Sequence, residues 1–434
     1  MESEENFQLQ QESSAQQEAD LKRAQDAVTE LYVFHRQYLE THPLEQAGRK
    51  TVDVEEKLKE TLSLLDSVQD SLPKVQWWCL RGRALNILPD HSQEAQDSLS
   101  KAIKHDPTLI QAWNDLGETY WKAGNVIQAH DCFVGSLSHA KSKESLRNLS
   151  MVLRQLGKDA GEREAKIKES VEKAKEAVGM DVSDGTSWMV LGNAYLSLFF
   201  VSNQDPQILK QCTSAYSQAE KDSFVSNNPD LHFNKATLYQ YEENYPAMLE
   251  QLSLSCTLDP NWATPREKRE SMLKFLTTNA RLIESKGKAK AKLLASLSSS
   301  LAQTRKYVGS EVGRVLVDTS GLQKGVNNGR VFLGGLVCVV PFKERVSYAC
   351  VLVDTSGSAV GLTLYNLAQT THLSVGDIIA IPDPLLRFTQ VQDKSDTIQF
   401  HNIRVDNPSQ LLINGQRLTK DKLAQSTVSI TAFS

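Results

Sequence analysis

Residues 112–134 read AWNDLGETYWKAGNVIQAHDCFV. Trp113, Leu116, Gly117 and Tyr120 fall at helical spacing, Gly124 stops that helix, and Ala129 and Phe133 begin the same face of a second one. Two short antiparallel helices result, with a small residue where they cross and large ones filling the space between pairs. One such pair cannot bury its own apolar face, so the pattern must recur along the chain.

It does recur. Trp78, Gly82, Ala95, Leu99, Ala102 and Pro107 carry it with one inserted residue, and Leu146, Leu149, Ser150, Leu153 and Gly157 carry it again. Trp188, Leu191, Gly192 and Tyr195 form a fourth copy, closed by Cys212, Tyr216 and Ala219; Ala236, Tyr239, Met248, Leu252 and Pro260 form a fifth. Intervals of about 34 residues or slightly more, with W-x-x-L-G-x-x-Y…A-x-x-x-F spacing, define tetratricopeptide repeats. The aromatic residues of the pattern are packing residues. Ligand contacts must come from positions that the repeat leaves free, on the first helix of each pair, which lines the concave face. Counting from the aligned tryptophan puts Asn114, Glu118 and Trp121 there in one repeat, and Arg147 and Arg154 in the next. Met189 and Asn193 follow, then Asp230, Phe233 and Thr237. A cation and an anion would thus face one groove, suited to a peptide with adjacent opposite charges.

Outward from the repeats, residues 1–17 are rich in Gln, Glu and Ser and read as disordered. Helical periodicity begins near Ala19, breaks at His42–Pro43 and resumes over 54–68. The superhelix, with five to six repeats and capping helices, is expected over 18–285, and a basic helical linker over 286–306. There Lys286, Lys288, Lys290 and Lys292 alternate, a compact cationic patch suited to a phosphate backbone. From 307 to 425 the period changes to β-branched runs separated by Gly, Asn, Asp and Ser, such as GRVFLGGLVCVV and GDIIAIPDP. Five to seven strands of a small barrel of the oligonucleotide/oligosaccharide-binding (OB) type are expected. Phe332, Tyr348, Tyr365, Phe388 and Phe400 are the aromatic residues that could stack on bases; core packing is the simpler reading. The fold class is therefore α plus β multidomain, a repeat superhelix followed by an OB-like β-barrel.

The bulk numbers exclude several classes. The 434 residues carry a net charge of −5, which argues against a protein coated in nucleic acid. Six scattered cysteines without C-x-x-C pairs suggest neither a disulfide framework nor a zinc site. The acidic start MESEENFQLQ is no presequence, and no apolar run could cross a bilayer, so an intracellular, soluble protein is expected. Phosphate-loop, dinucleotide, zinc-protease and nucleophile-elbow motifs do not occur, and GLQKGVNNGR reads as turn chemistry. No enzyme activity, cofactor or metal is expected.

ETHPLEQAGRK (40–50), AWNDLGETYWKAG (112–124), NLSMVLRQL (148–156), SWMVLGNAYLSL (187–198), SNNPDLHFNKATLYQYEENY (226–245) and SKGKAKAK (285–292) resemble the tetratricopeptide repeat protein five family, also called Strap; GVNNGRVFLG and VGDIIAIPDPLLR extend the likeness into the β domain. The resemblance implies a cytoplasmic role. The groove would recognise the first residues of nascent α- and β-tubulin, Met-Arg-Glu-Cys or Met-Arg-Glu-Ile, at the ribosome, and mRNA-decay adaptor proteins would then be recruited. It also implies an alternative nuclear role, as a stress-responsive, DNA-damage-linked cofactor joining a histone acetyltransferase to a tumour-suppressor transcription factor. On that reading Arg154 meets the peptide glutamate, Asp230 meets its arginine, and Lys290 and Lys292 touch ribosomal RNA. Where the family carries an acidic groove residue after Asn261–Trp262, this chain has Thr264; Glu267, one turn on, is the expected substitute. A generic chaperone-adaptor role would need a paired lysine and asparagine clamp, which is not evident.

Overall fold

The computed structural model describes residues 2–424 apart from Asn203, 312–313, 343–346, 369–370 and 394–395, with side chains outside 2–13 and 307–311. It separates into two compact units. The first comprises Met1–Asn234 and Leu254–Asn261; the second comprises Lys235–Ser253 and the chain from Trp262.

The first unit is a stack of helix pairs. After α1 (Glu2–Thr41), a 3-10 turn (Leu44–Arg49) and α2 (Lys50–Ser67) come the pairs α3/α4 (Lys74–Leu85, Gln93–His105), α5/α6 (Ile110–Lys122, Val126–His139), α7/α8 (Lys143–Leu153, Ala160–Met180) and α9/α10 (Gly185–Val201, Pro206–Ala219). A single turn, α11 (Ser223–Ser226), leads to α12 (Pro229–Tyr241) and α13 (Tyr245–Leu258), of which only residues up to Asn234 and from Leu254 belong to this unit. The disorder expected for 1–17 is not found, because α1 begins at Glu2. The segment contains neither Gly nor Pro and is built largely from Glu and Gln, which lose little on entering a helix.

The repeat glycines mark the helix crossings. A Cβ on Gly82 would lie 2.6 Å from Leu99 Cγ, one on Gly192 would lie 2.6 Å from Tyr216, and one on Gly117 would overlap the Phe133 ring. Phe133 and Tyr216 are fully buried behind them. The two ends of the stack also meet. Ser223 Oγ donates to Glu40 (2.7 Å), Asn261 Nδ2 donates to the Gly48 carbonyl (2.8 Å), and the Arg36 guanidinium lies 4.6 Å from the centre of the Phe224 ring.

In the second unit, α14 (Ala263–Glu284) and α15 (Ala291–Glu311) accompany a ten-stranded sheet. Its strands are β1 (Val315–Val317), β2 (Gly325–Val326), β3 (Arg330–Val339), β4 (Tyr348–Val353), β5 (Ala359–Leu364), β6 (Ile378–Pro382), β7 (Leu385–Asp393), β8 (Asp396–Val405), β9 (Leu412–Ile413) and β10 (Gln416–Arg417). The order is β10-β9-β6-β3-β4-β5-β8-β7-β2, with β1 parallel to β3 and β5 parallel to β8. Phe332, Leu352, Leu362, Ile379 and Ile403 fill the core. The count exceeds the expected five to seven because β2, β9 and β10 are only two residues long.

Two expected boundaries move. Helix continues to Glu311, past residue 307, and the division between units falls near 234 and 262 rather than at 286. Apolar packing explains this. Leu297 on α15 presses on Gly335 of β3, Ile283 on α14 on Gly361 of β5, and Phe275 stacks on Phe342 at 4.4 Å. Arg404 of β8 is held between Tyr241 (4.7 Å) and Tyr365 (4.2 Å), pairs with Asp406 at 2.7 Å and lies 3.8 Å from the buried Glu243. Among the aromatic candidates, Phe332, Tyr365 and Phe400 are buried; Tyr348 packs against the core, and Phe388 is 40% exposed beside His401.

Candidate functional site

The first helices of successive pairs, with α1 and α2, enclose a hollow of about 660 Å³ in the first unit. Its wall includes Glu118 and Trp121 from α5, Glu144, Arg147, Asn148 and Met151 from α7, and Asp230 from α12. Asp230 lies in the first turn of α12, is 5% exposed, and its N–H donates to Asn228 Oδ1 (2.8 Å).

Arg154 caps the C-terminus of α7, one turn beyond Met151, and does not itself line the hollow. It is 9% exposed, and none of its three guanidinium nitrogens has a hydrogen-bond partner among the described residues. Desolvation draws its pKa down to about 10, which leaves it cationic at neutral pH, with the neighbouring Tyr216 opposing the shift. Tyr216 also ties in Asn193 of α9. Asn193 Oδ1 accepts from the Tyr216 hydroxyl (2.7 Å) and from Asn234 Nδ2 (3.1 Å), while Asn193 Nδ2 is buried without an acceptor. A buried polar group left unpaired is costly unless something completes it.

Arg147 lines the hollow, but its charge is already met. Its Nη1 lies 2.6 Å from Asp184 Oδ2, the side chain that caps α9 through the Ser187 N–H (3.3 Å). Burial would push Asp184 up, yet Arg147, the Ser187 hydroxyl and Lys143 together hold it below the usual carboxylate range. Arg147 thus stands on the wall as expected, but with its charge met from within the chain. Its partner lies one repeat away on α9, beyond the reach of a register count on α7. Glu267 is an exposed residue of α14 in the second unit, as is Thr264.

A trio of acids was not anticipated as a group. Gln111 Nε2 donates to both Asp115 Oδ1 (3.1 Å) and Glu144 Oε1 (3.3 Å), and Asn86 Nδ2 donates to Glu118 Oε2 (3.0 Å). The nearby cations are engaged elsewhere. Lys122 donates to Asn86 Oδ1 (3.2 Å) and the Leu88 carbonyl (2.8 Å), Arg83 stacks on Tyr32 at 4.8 Å, and Arg147 holds Asp184. Burial pushes Asp115 well above the usual carboxylate range; Arg83 opposes, and Glu118 and Glu144 add to the shift. Glu118 is raised too, by burial, with Lys122 opposing. The 33-residue step from Gln111 to Glu144, one repeat length, was the available signal.

The lysine patch lies in the second unit, and all four side chains are exposed. It is not the continuous helix expected. Lys286–Lys288 form a 3-10 turn with left-handed φ values of 49°, 66° and 55°, and α15 starts only at Ala291. Gly287 is required at the centre because a Cβ there would lie 2.7 Å from Cys338 Sγ of β3. Among the described residues there is no group of side chains that could hold a metal, and no helix long and apolar enough to cross a membrane.

Stacked helix pairs with a charged hollow, joined to an OB-type sheet, define a tetratricopeptide-repeat adaptor. Residues 316–427 match the sequence model of the tetratricopeptide repeat protein 5 OB fold domain. Tetratricopeptide repeat protein 5 of mouse is 44% identical over 422 residues, covering 94% of this chain and 96% of that protein; the human protein is 44% and the bovine protein 43% identical over the same shares. The chain belongs to the tetratricopeptide repeat protein 5 family.

Proposed function

We propose that this adaptor takes the first residues of nascent α- and β-tubulin, Met-Arg-Glu-Cys or Met-Arg-Glu-Ile, into the hollow of its first unit and thereby triggers co-translational decay of tubulin mRNA. The single observation behind this reading is Arg154, a buried cation with no hydrogen-bond partner among the described residues. Arg154 takes the peptide glutamate, with Asn193 Nδ2 as a second donor, and Asp230 takes the peptide arginine. Each fixed charge then gains a charge-assisted hydrogen bond in a site largely shielded from water. The lysines at 286–292 provide the ribosomal-RNA contact, and mRNA-decay adaptors dock on the complex.

A Met-Arg-Glu-Ile peptide should bind the full-length chain in isothermal titration. Arg154→Ala and Asp230→Ala should each weaken binding about thirtyfold or more, the equivalent of about 2 kcal/mol, while the helical circular-dichroism signal stays unchanged. No binding by the intact chain, or undiminished binding by both variants, would refute the proposal.

A further inference from the structure

We infer that Asp115, Glu118 and Glu144, brought together on α5 and α7, receive the free α-ammonium group at the start of the bound chain. This inference rests on the peptide reading above and extends it from side chains to the chain terminus.

Three observations carry it. First, none of these carboxylates lies within 4.0 Å of a cationic nitrogen among the described residues, although Arg83, Lys122 and Arg147 surround them, and Asp115 Oδ2 is buried without any partner. Asp115 is buried and Glu118 and Glu144 are half-buried, and carboxylates left in this state weaken the fold, so a ligand cation has much to contribute. Second, Asn114 is 1% exposed and neither polar atom of its side-chain amide is paired among the described residues. It sits four residues before Glu118, hence on the same face of α5, where it can meet the first peptide carbonyl or N–H. Third, Glu144 and Arg154 lie at opposite ends of α7. Ten residues at 1.5 Å rise put them about 15 Å apart along the helix. In an extended peptide, the α-nitrogen and the third-residue carboxylate are separated by about 7 Å of backbone and a side chain of about 5 Å, so hydrogen bonds at both ends fill that span.

The chemistry favours an ammonium over a guanidinium. Three carboxylates from two helices offer one acceptor to each N–H of a compact –NH₃⁺ group. A planar fork is better matched by a single carboxylate.

The test compares free-amine and Nα-acetylated Met-Arg-Glu-Ile peptides on the full-length chain and on the Glu118→Gln/Glu144→Gln variant, which is close to isosteric. Acetylation should weaken binding to the natural chain about tenfold or more, the variant should bind the free peptide about that much more weakly, and acetylation should then make no further difference. Thermal melting reports whether the variant is folded; if it is not, Glu118→Gln alone should show the same loss of discrimination. Equal affinity of the two peptides for the natural chain overturns the inference, as does an acetylation penalty that persists in the folded variant. If neither peptide binds the natural chain, the underlying peptide reading fails and takes this inference with it.

Discussion

Arg154 shows how a single side chain can work against the fold that holds it. Its guanidinium is buried beside Tyr216 with no acceptor among the described residues. Its position at a helix C-terminus recovers about 0.5 kcal/mol of favourable dipole interaction, less than the several kcal/mol that desolvating a charge costs. Arg154→Met should therefore raise the unfolding free energy by about 1–3 kcal/mol while removing affinity for the Met-Arg-Glu-Ile peptide. Urea denaturation checks the first effect and titration the second; a destabilised variant would mean that the guanidinium is satisfied within the native protein. Register counting placed Arg154 and Asp230 on the concave side because each lies on the first helix of a repeat with an aligned aromatic or glycine marker. It could not show that Arg147 is neutralised by Asp184, or that Asp115 joins Glu144 through Gln111. The Arg147–Asp184 and Gln111–Glu144 pairings link residues 37 and 33 positions apart, on helices that only the superhelical stacking brings side by side.

Among the elements, α5 and α6 are the most legible. Trp113, Gly117 and Phe133 are constrained by packing, and packing is what a repeat preserves. Gly117 shows the strength of that constraint. In an isolated helix, Gly→Ala gains about 1 kcal/mol, but here the new methyl would overlap the Phe133 ring. Overpacking should win, and Gly117→Ala should destabilise the first unit by about 1–3 kcal/mol, read as a lower denaturation midpoint. A stabilised variant would show that α5 and α6 can separate freely. The start of α1 and the lysine turn were less legible, for opposite reasons. Composition alone cannot distinguish a solvated Gln- and Glu-rich helix from a disordered tail, whereas the left-handed path through Lys286–Lys288 is imposed by the sheet beneath Gly287.

Across the whole chain, change of period put the start of the β domain at 307, eight residues before the first strand at Val315, and placed the division between compact units too late. Nothing in the periodicity of α14 marks that its apolar side belongs to a sheet. The groove charges and the lysine turn lie in different units, so they should act independently. Lys290→Glu/Lys292→Glu should abolish co-sedimentation with ribosomes translating tubulin and leave affinity for the isolated peptide within about twofold. Loss of both would show that the lysines support the fold or the groove. One last consequence follows from the contacts of Glu40 with Ser223 and of Gly48 with Asn261. They fasten the first unit into a hoop around its hollow. A hoop passes over a cord only at a loose tip, and the loops of a finished protein are tied at both ends. An internal stretch of polypeptide is thus turned away by topology, without any dedicated clash, and only a free chain end can be threaded.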